Sequence, residues 1–343
     1  MKHPFFYSLY LTLTISCTTS LTYDISEKPV VPVLNAVWDA CEQEHIVYLC
    51  GSGPYAVTGL GKDAQVYCYV NDILVAEADS TWQEPVQDKG FTLQAYRIRA
   101  RLSTGDQVCL SVHLPDRDLF AKATVPPPPS IRVDSVSVAG RDSSPAFFSY
   151  REYGFTLTLT DSPGQDNYYR LFTPSVHSEA WMSKSCRKVE DRDWMYGLPI
   201  DTGDPVFQNS PTQFPKEISE ELPFLSSRVD NFTHVFTDAL FQGEKYSFPF
   251  SMDQERFKTY SYANQVKYLV HFRLGALNRE TYQYMLASNA AATAKLDPLS
   301  EPIIMPENVE GGIGFFALQH SITQDILLED ARYSDEFVYD DFL

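Results

Sequence analysis

The 343-residue sequence lacks clusters of basic residues: it has 27 Lys and Arg against 45 Asp and Glu, a net charge of -18. A face that binds DNA or RNA needs clustered Lys and Arg to contact phosphates, so the sequence argues against a nucleic-acid partner. Acidic residues crowd the end of the chain, where we interpret them as a solvated tail, with an interaction tail as the alternative. They are Asp325, Glu329, Asp330, Asp335, Glu336, Asp340 and Asp341.

The sequence also lacks the short motifs of common enzymes, since it has no GxSxG, HExxH, P-loop or Rossmann fingerprint. Its histidines are scattered, and none of its cysteines has CxxC spacing. The segment CEQEH at 41–45 is a weak metal pattern, and Asp191 and Asp193 lack the glycine and closing Glu of a calcium loop. We therefore predict no catalytic residue, no metal site and no cofactor.

Beyond its N-terminus, the sequence has no apolar run long enough to cross a membrane. A short basic start and the apolar segment PFFYSLYLTLTIS predict a signal peptide at residues 1–16. Cys17 follows in a context that resembles a bacterial lipobox, although Thr14 stands where Leu is usual. We predict a lipid anchor on Cys17, followed by a tether at 17–29. Cleavage by the ordinary signal peptidase, which would release a soluble secreted protein, is the alternative.

Glycine is scarcer than proline, 16 against 22, and aromatic residues make up 14% of the chain. Abundant Tyr, Phe, Val and Thr favour strands, and scattered prolines interrupt helices. Residues 30–125 contain about seven short β-rich runs separated by turn residues, which predicts an immunoglobulin-like β-sandwich. Residues 126–130, which begin with four consecutive prolines, then form a stiff linker. We therefore predict a mainly β fold with two antiparallel β-sandwich-like domains, the second at 131–343.

The second domain is predicted to contain one clear helix, RETYQYMLASNAAATA. Glu280 lies near the start of this segment, and alanines fill its end. Further along, Gly311 and Gly312 precede aromatic and Ile residues. We expect these glycines to form a tight bend or bulge that begins a strand.

Residues 177–230 show little periodicity, so we expect irregular structure there. They contain Trp181, Trp194 and Tyr196. Exposed aromatic side chains in loops stack on sugars or contact protein partners, so these three are our candidate ligand-binding or partner-binding residues. The alternative is that they hold the loop against the core.

Four of the six cysteines lie in the first predicted domain. An exported chain meets oxidising surroundings, so disulfides can form, but the sequence does not choose among the possible pairings. Buried free thiols are the alternative. The four residues are Cys41, Cys50, Cys68 and Cys109.

Four motifs of the second domain occur in order: DSPGQDNYYRL, FTDALFQGEKYSF, RETYQYM and IIMPENVEGGIGFF. With Cys17 and the early segment EKPVVPVLNA, they resemble the DUF4249 family, lipoproteins of unknown function from Bacteroidetes. The resemblance covers nearly the whole mature chain and supplies no catalytic residues. It implies an outer-membrane lipoprotein, on the surface or the periplasmic face, that works beside a TonB-dependent nutrient-uptake receptor.

Three functions stay open at this point, because β-sandwiches host all of them. The first is a non-enzymatic binding or accessory lipoprotein that contacts the membrane through the lipid on Cys17. The second is a structural or adhesive surface protein. The third is a hydrolase acting on glycans or peptides.

Overall fold

The computed structural model describes eight ranges of the chain. They are residues 30–52, 61–86, 92–141, 150–182, 187–208, 230–257, 265–294 and 303–331. The predicted signal peptide, Cys17, the tether, Cys186 and the acidic residues from Asp335 onward lie outside these ranges.

The described residues form eighteen strands, two α-helices and a short 3-10 turn. Strands β1 to β8 are Pro32–Asp39, Glu44–Gly51, Gln65–Val70, Ile73–Glu77, Ser80–Pro85, Thr92–Arg99, Gln107–His113 and Asp118–Thr124. Strands β9 to β18 are Ser130–Arg141, Tyr150–Thr160, Tyr168–Leu171, Ser175–Met182, Arg187–Asp193, Val235–Thr237, Lys245–Asp253, Gln265–Leu277, Val309–Glu310 and Ile313–Ala331. Helix α1 is Pro205–Gln208, helix α2 is Arg279–Ala294, and the turn is Gln254–Phe257.

The strands of the described residues form three sheets. The largest has the order β13-β12-β16-β18-β1-β2-β6-β5, and β11, which also pairs with β14, lies against β16. The second has the order β17-β8-β7-β3-β4, and the third has the order β15-β10-β9. Neighbouring strands pair antiparallel except β1 and β18, which are parallel. The predicted mainly β fold with antiparallel sheets is therefore confirmed.

Strand β18 belongs to both halves of the protein. Its first part pairs with β1, from Ile313 opposite Val33 to Gln319 opposite Asp39. From Gln319 onward it pairs with β16 and continues to Ala331. The last described part of the chain therefore completes the first sandwich, and the two halves share one continuous sheet. The domain limits at 125 and 131 stay a prediction.

Each half has its own hydrophobic core, built by the alternation of side chains along its strands. In the first half, Leu34, Ala36 and Trp38 of β1 point inward and are buried. In the second half, the rings of Phe155 and Phe272 lie 5.4 Å apart at the centre of an aromatic core. Residues of the first core come from both ends of the chain, because β18 contributes Phe316 and Leu318.

Helix α2 confirms the predicted helix at the same residues, Arg279–Ala294. The side-chain oxygen of Asn278 accepts a hydrogen bond from the backbone N–H of Thr281 at 2.8 Å, which caps the N-terminus of the helix. Tyr282 and Met285 pack on Leu277 and so attach the helix to the second half.

The bend predicted at the glycines before β18 is also confirmed. Gly311 has a φ of 82°, and a Cβ atom there would lie 2.1 Å from the carbonyl oxygen of Asp118. Only glycine fits such a position without moving the backbone. The bend therefore lets β17 and β18 close the first sandwich.

The expected irregular structure was wrong for residues 177–182 and 187–193. Strands β12 and β13 pair with each other, and β12 also pairs with β16. The sequence hides them because β13, RKVEDRD, is an edge strand with almost no apolar residues, and a register shift between Ala180 and Trp181 interrupts the pairing. Residues 183–186 and 209–229 of that segment lie outside the described ranges.

Candidate functional site

Trp194 packs against the core of the second half. Its ring meets Phe257 edge-on at 5.3 Å between centroids, and its indole N–H donates to the Ser178 hydroxyl at 2.8 Å. The guanidinium of Arg192 covers the ring at 4.1 Å. These contacts are those expected of an aromatic side chain that holds its segment against the core.

Trp181 and Tyr196 lie in different surroundings. Trp181 is on β12, where its indole N–H donates to the Glu179 carboxylate at 3.3 Å and the Lys188 ammonium lies 5.6 Å from the ring centroid. Tyr196 is 73% exposed, next to Met195 at 89%. A ligand-binding role for the three aromatic residues stays a prediction.

A cavity of about 340 Å³ lies where the first sandwich meets the N-terminus of α2. We call it the seam cavity. Its walls come from β7, β8, the turn between β3 and β4, the first turn of α2 and the start of β18. The lining residues are Asp72, Gln107, Val108, Cys109, Lys122, Ala123, Thr124, Asn278, Glu280, Thr281, Asn308 and Phe316.

Local hydrogen bonds hold two walls of the seam cavity in place. Asn308 exchanges two hydrogen bonds of 2.8 Å with the backbone of Phe316, so its amide replaces a strand partner. Asn71 and Asp72 have φ values of 50° and 65°, which is typical of a tight type I′ hairpin turn. Asn71 also accepts a hydrogen bond from the backbone N–H of Gln107 at 3.0 Å. The cavity is therefore preformed.

The seam cavity presents groups of both charges to a ligand. Lys122 lines it together with the carboxylates of Asp72 and Glu280. Burial raises the pKa of the Cys109 thiol, and this outweighs the nearby Lys122, which lowers it. A thiol of this kind is a poor nucleophile at neutral pH. The arrangement suits hydrogen bonding to a small polar molecule.

A network of charged and polar groups joins the two halves where the parallel pairing of β1 and β18 ends. The carboxylate of Asp39, 3% exposed, accepts hydrogen bonds from Arg273 at 2.7 Å and from the Gln319 amide at 2.9 Å. It also accepts from the backbone N–H groups of Ser321 at 3.0 Å and Cys41 at 3.2 Å. Four donors therefore surround one buried carboxylate.

The same donors set the pKa of Asp39. Burial raises this pKa, but the hydrogen bonds from Ser321, Arg273 and Cys41 lower it, and the result lies below the ordinary value. Arg273 also donates to Glu42 at 2.8 Å and to the Ser321 hydroxyl at 2.7 Å. The hydrogen-bonding groups of Asp39 and Arg273 are bonded to other residues of the protein, and we assign this network a structural role.

The family model described as a domain of unknown function, DUF4249, matches residues 18–325. The chain belongs to this family. A crystal structure of bovine butyrophilin is similar at 9% identity, covering 71% of this chain and 92% of that chain with a TM-score of 0.19. A similarity at this score carries no argument about this DUF4249 protein. No curated protein matches the sequence.

The cysteines of this DUF4249 protein are free wherever the structure describes them, at Cys41, Cys50, Cys68 and Cys109. Cys68 lies opposite Leu110 on the neighbouring strand and is fully buried, whereas Cys109 is half-buried and lines the seam cavity. Because adjacent residues of a strand point to opposite faces, these two thiols face away from each other. None of the helices in the described ranges is long and apolar enough to span a bilayer.

The sequence did not indicate the residues of the seam cavity. In the sequence, Glu280 is recognisable only as a residue near a helix start, and Lys122 and Asn308 lie in segments far apart in the chain. Asn278, three residues before Thr281, is recognisable in the sequence as a helix N-cap. This capping pattern is the one feature of the sequence that points to a residue of the cavity. These residues come together only in the tertiary structure.

Proposed function

We propose that this DUF4249 protein is a non-enzymatic binding or accessory lipoprotein, attached to the outer membrane by a lipid on Cys17 and working beside a TonB-dependent receptor. The seam cavity is the observation that carries the binding function. Its volume, about 340 Å³, lies in the range of small-molecule sites. Its walls are already fixed by hydrogen bonds, so a ligand loses little affinity to ordering them.

The chemistry of the cavity supports binding over catalysis. The described residues that line it include no histidine to act as a general base. The thiol of Cys109 has a raised pKa, opposite to the shift that a nucleophile needs. A hydrolase that used Cys109 as its nucleophile would need both functions.

Strand β4 supports a protein partner. It is the outer strand of the five-stranded sheet, and Ile73, Leu74 and Val75 are 68%, 52% and 48% exposed. An edge strand with exposed aliphatic side chains can pair with a strand of another protein. The edge strand β13 is charged except for Val189, so it differs in kind from β4. We assign β4 to contact with the receptor.

The partner is tested by purifying the tagged protein from detergent-solubilised membranes and identifying co-purifying proteins by mass spectrometry. We expect a stoichiometric TonB-dependent barrel that is lost in Leu74→Lys. Leu327→Lys is the matched control, because Leu327 is equally exposed, at 56%, on a different sheet. Recovery of the protein alone would favour the structural or adhesive function. An undiminished barrel in Leu74→Lys would remove β4 as the contact.

The ligand site is tested by native mass spectrometry of the full-length protein released from detergent. We expect a bound small molecule that is lost in Gln107→Trp, which fills the cavity from an exposed position. Gln65→Trp places the same side chain at an exposed position of the same sheet and should keep the ligand. A wild-type protein without a bound molecule, or equal occupancy in both variants, contradicts the assignment.

The anchor is tested by radiolabelled palmitate and membrane fractionation. We expect label in the wild-type protein, and none in Cys17→Ala, which should leave the membrane fraction. Label that persists in Cys17→Ala would show that another residue carries the lipid.

A further inference from the structure

The outer face of β12 and β13 brings together a histidine and three carboxylates. Because side chains alternate along a strand, His177 and Glu179 point to the same face of β12. Opposite them on β13, Asp193 pairs with His177 and Asp191 pairs with Glu179. The ligand atoms of His177, Glu179 and Asp191 all lie within 4.8 Å of one another.

The imidazole of His177 lies between two carboxylates. Its Nδ1 is 2.7 Å from Asp193 and its Nε2 is 3.0 Å from Asp191. A neutral imidazole has one N–H and one lone pair, so a ring that donates from Nδ1 to Asp193 turns its Nε2 lone pair toward the Asp191 oxygen. Two lone pairs at this distance repel each other unless a positive charge lies between them. A second proton or a metal ion supplies that charge.

The chain itself places a cation against Glu179 and Asp191. The ammonium of Lys188 bonds to Glu179 and lies 2.8 Å from Asp191. Lys188 reaches them because the register shift leaves Val189 unpaired with β12, so that Lys188 lies opposite Trp181. Lysine is a flexible point charge that an ion can displace at low cost.

We propose that His177, Glu179 and Asp191 form a zinc site, in which Asp193 orients His177 and Lys188 balances the charge when no metal is bound. Histidine that binds a metal commonly donates its other ring N–H to a carboxylate, as His177 can to Asp193. Zinc bonds of ~2.0–2.2 Å place neighbouring ligand atoms ~3 Å apart, as Nε2 and the Asp191 oxygen already are.

Zinc fits this ligand set better than a hard cation. Calcium and magnesium prefer oxygen ligands throughout, whereas zinc binds imidazole nitrogen together with carboxylate oxygen. The side chains of His177 and Asp191 are 25% and 54% exposed, so water can complete the coordination. The site is separate from the seam cavity, and the proposal does not depend on the function proposed there.

A second histidine on the same sheet provides a matched control. His271 on β16 has its Nδ1 2.7 Å from Asp325 on β18, and its side chain is 32% exposed. Within the described residues, His271 has this one carboxylate, whereas His177 has two. Removing His271 deletes one His–Asp pair from a strand, and removing His177 deletes two.

The test is zinc titration of the untagged, full-length protein in detergent, by isothermal titration calorimetry. His177→Ala should weaken zinc binding at least tenfold, a loss of the size typical of metal-site substitutions. Lys188→Met should strengthen it by about threefold to tenfold, since no ammonium has to be displaced. His271→Ala should bind as the wild type does, and thermal unfolding should show that all three variants are folded.

Five outcomes would overturn the zinc site. They are no zinc binding by the wild-type protein, unchanged zinc affinity in His177→Ala, weaker binding in Lys188→Met, an equal loss in His271→Ala, and calcium binding as tight as zinc binding. The last would show a diffuse acidic surface.

Discussion

Two groups of side chains in this protein have similar chemistry and opposite surroundings. Each contains three residues whose ligand-type atoms lie within 4.8 Å of one another. The first, which we call the Asp39 group, contains Asp39, Cys41 and Glu42 and lies beside the paired strands β1 and β18. The second, which we call the strand group, contains His177, Glu179 and Asp191 and lies on the outer face of β12 and β13.

The groups differ in how their carboxylates are matched. In the Asp39 group, Arg273 and three other donors of the fold surround Asp39, which is 3% exposed. In the strand group, the flexible Lys188 supplies the positive charge, and the Asp191 side chain is 54% exposed. A buried carboxylate must be matched during folding and has no capacity left for a ligand, whereas an exposed one can exchange its partner for an ion.

The largest expected effect separates the groups by stability. Asp39→Ala should lower the free energy of unfolding by about 3 kcal/mol, because it leaves Arg273 and buried donors without their acceptor. Asp191→Ala should change it by less than about 0.5 kcal/mol, since its site is open to water. Urea unfolding followed by circular dichroism measures both. Equal losses would show that burial does not distinguish the groups.

Removing the cation of each group should also lower the free energy of unfolding by different amounts. Arg273→Met should cost about 2 kcal/mol, because the buried Asp39 loses a charged donor. Lys188→Met should cost less than about 1 kcal/mol, as is usual for exposed ion pairs. The same urea titrations apply, and a larger loss in Lys188→Met would contradict the structural assignment of Arg273.

Acid should remove the stability that the charge of Asp39 contributes. Because the folded pKa of Asp39 lies below its unfolded value, its charge stabilises the protein above the unfolded pKa of about 3.9. This stabilisation is lost as the pH falls through the folded pKa. The difference in unfolding free energy between wild type and Asp39→Asn should therefore shrink when measured below about pH 4. A difference that grows in acid would mean that the folded pKa is raised.

Salt should produce the smallest effect. A double-mutant cycle for Lys188 and Glu179 should give less than about 1 kcal/mol, and the coupling should fall in concentrated NaCl. The coupling of Arg273 and Asp39 should change less, since the Asp39 side chain is 3% exposed and is screened less by salt. Equal salt dependence in the two cycles would contradict the contrast in solvent access.

The elements that local patterns specify were predictable from the sequence. Helix α2 begins after a capping Asn278 and has alanines at its end, and the bend at Gly311 requires a residue without Cβ. Strand β13 was not predictable, because its seven residues are nearly all charged and it is held by pairing with β12. The packing of Trp194 could not be decided from composition, since it depends on Phe257 and Ser178.

The sequence by itself determined the mainly β character, the helix and the family, because these rest on residues that are neighbours in the chain. The tertiary structure alone decided the seam cavity, the buried partners of Asp39 and the carboxylates around His177. Arg273 is separated from Asp39 by 234 positions, and they meet because β18 pairs with β1 on one side and β16 on the other. Contacts of this kind depend on strand order and register, which no local pattern in the chain records.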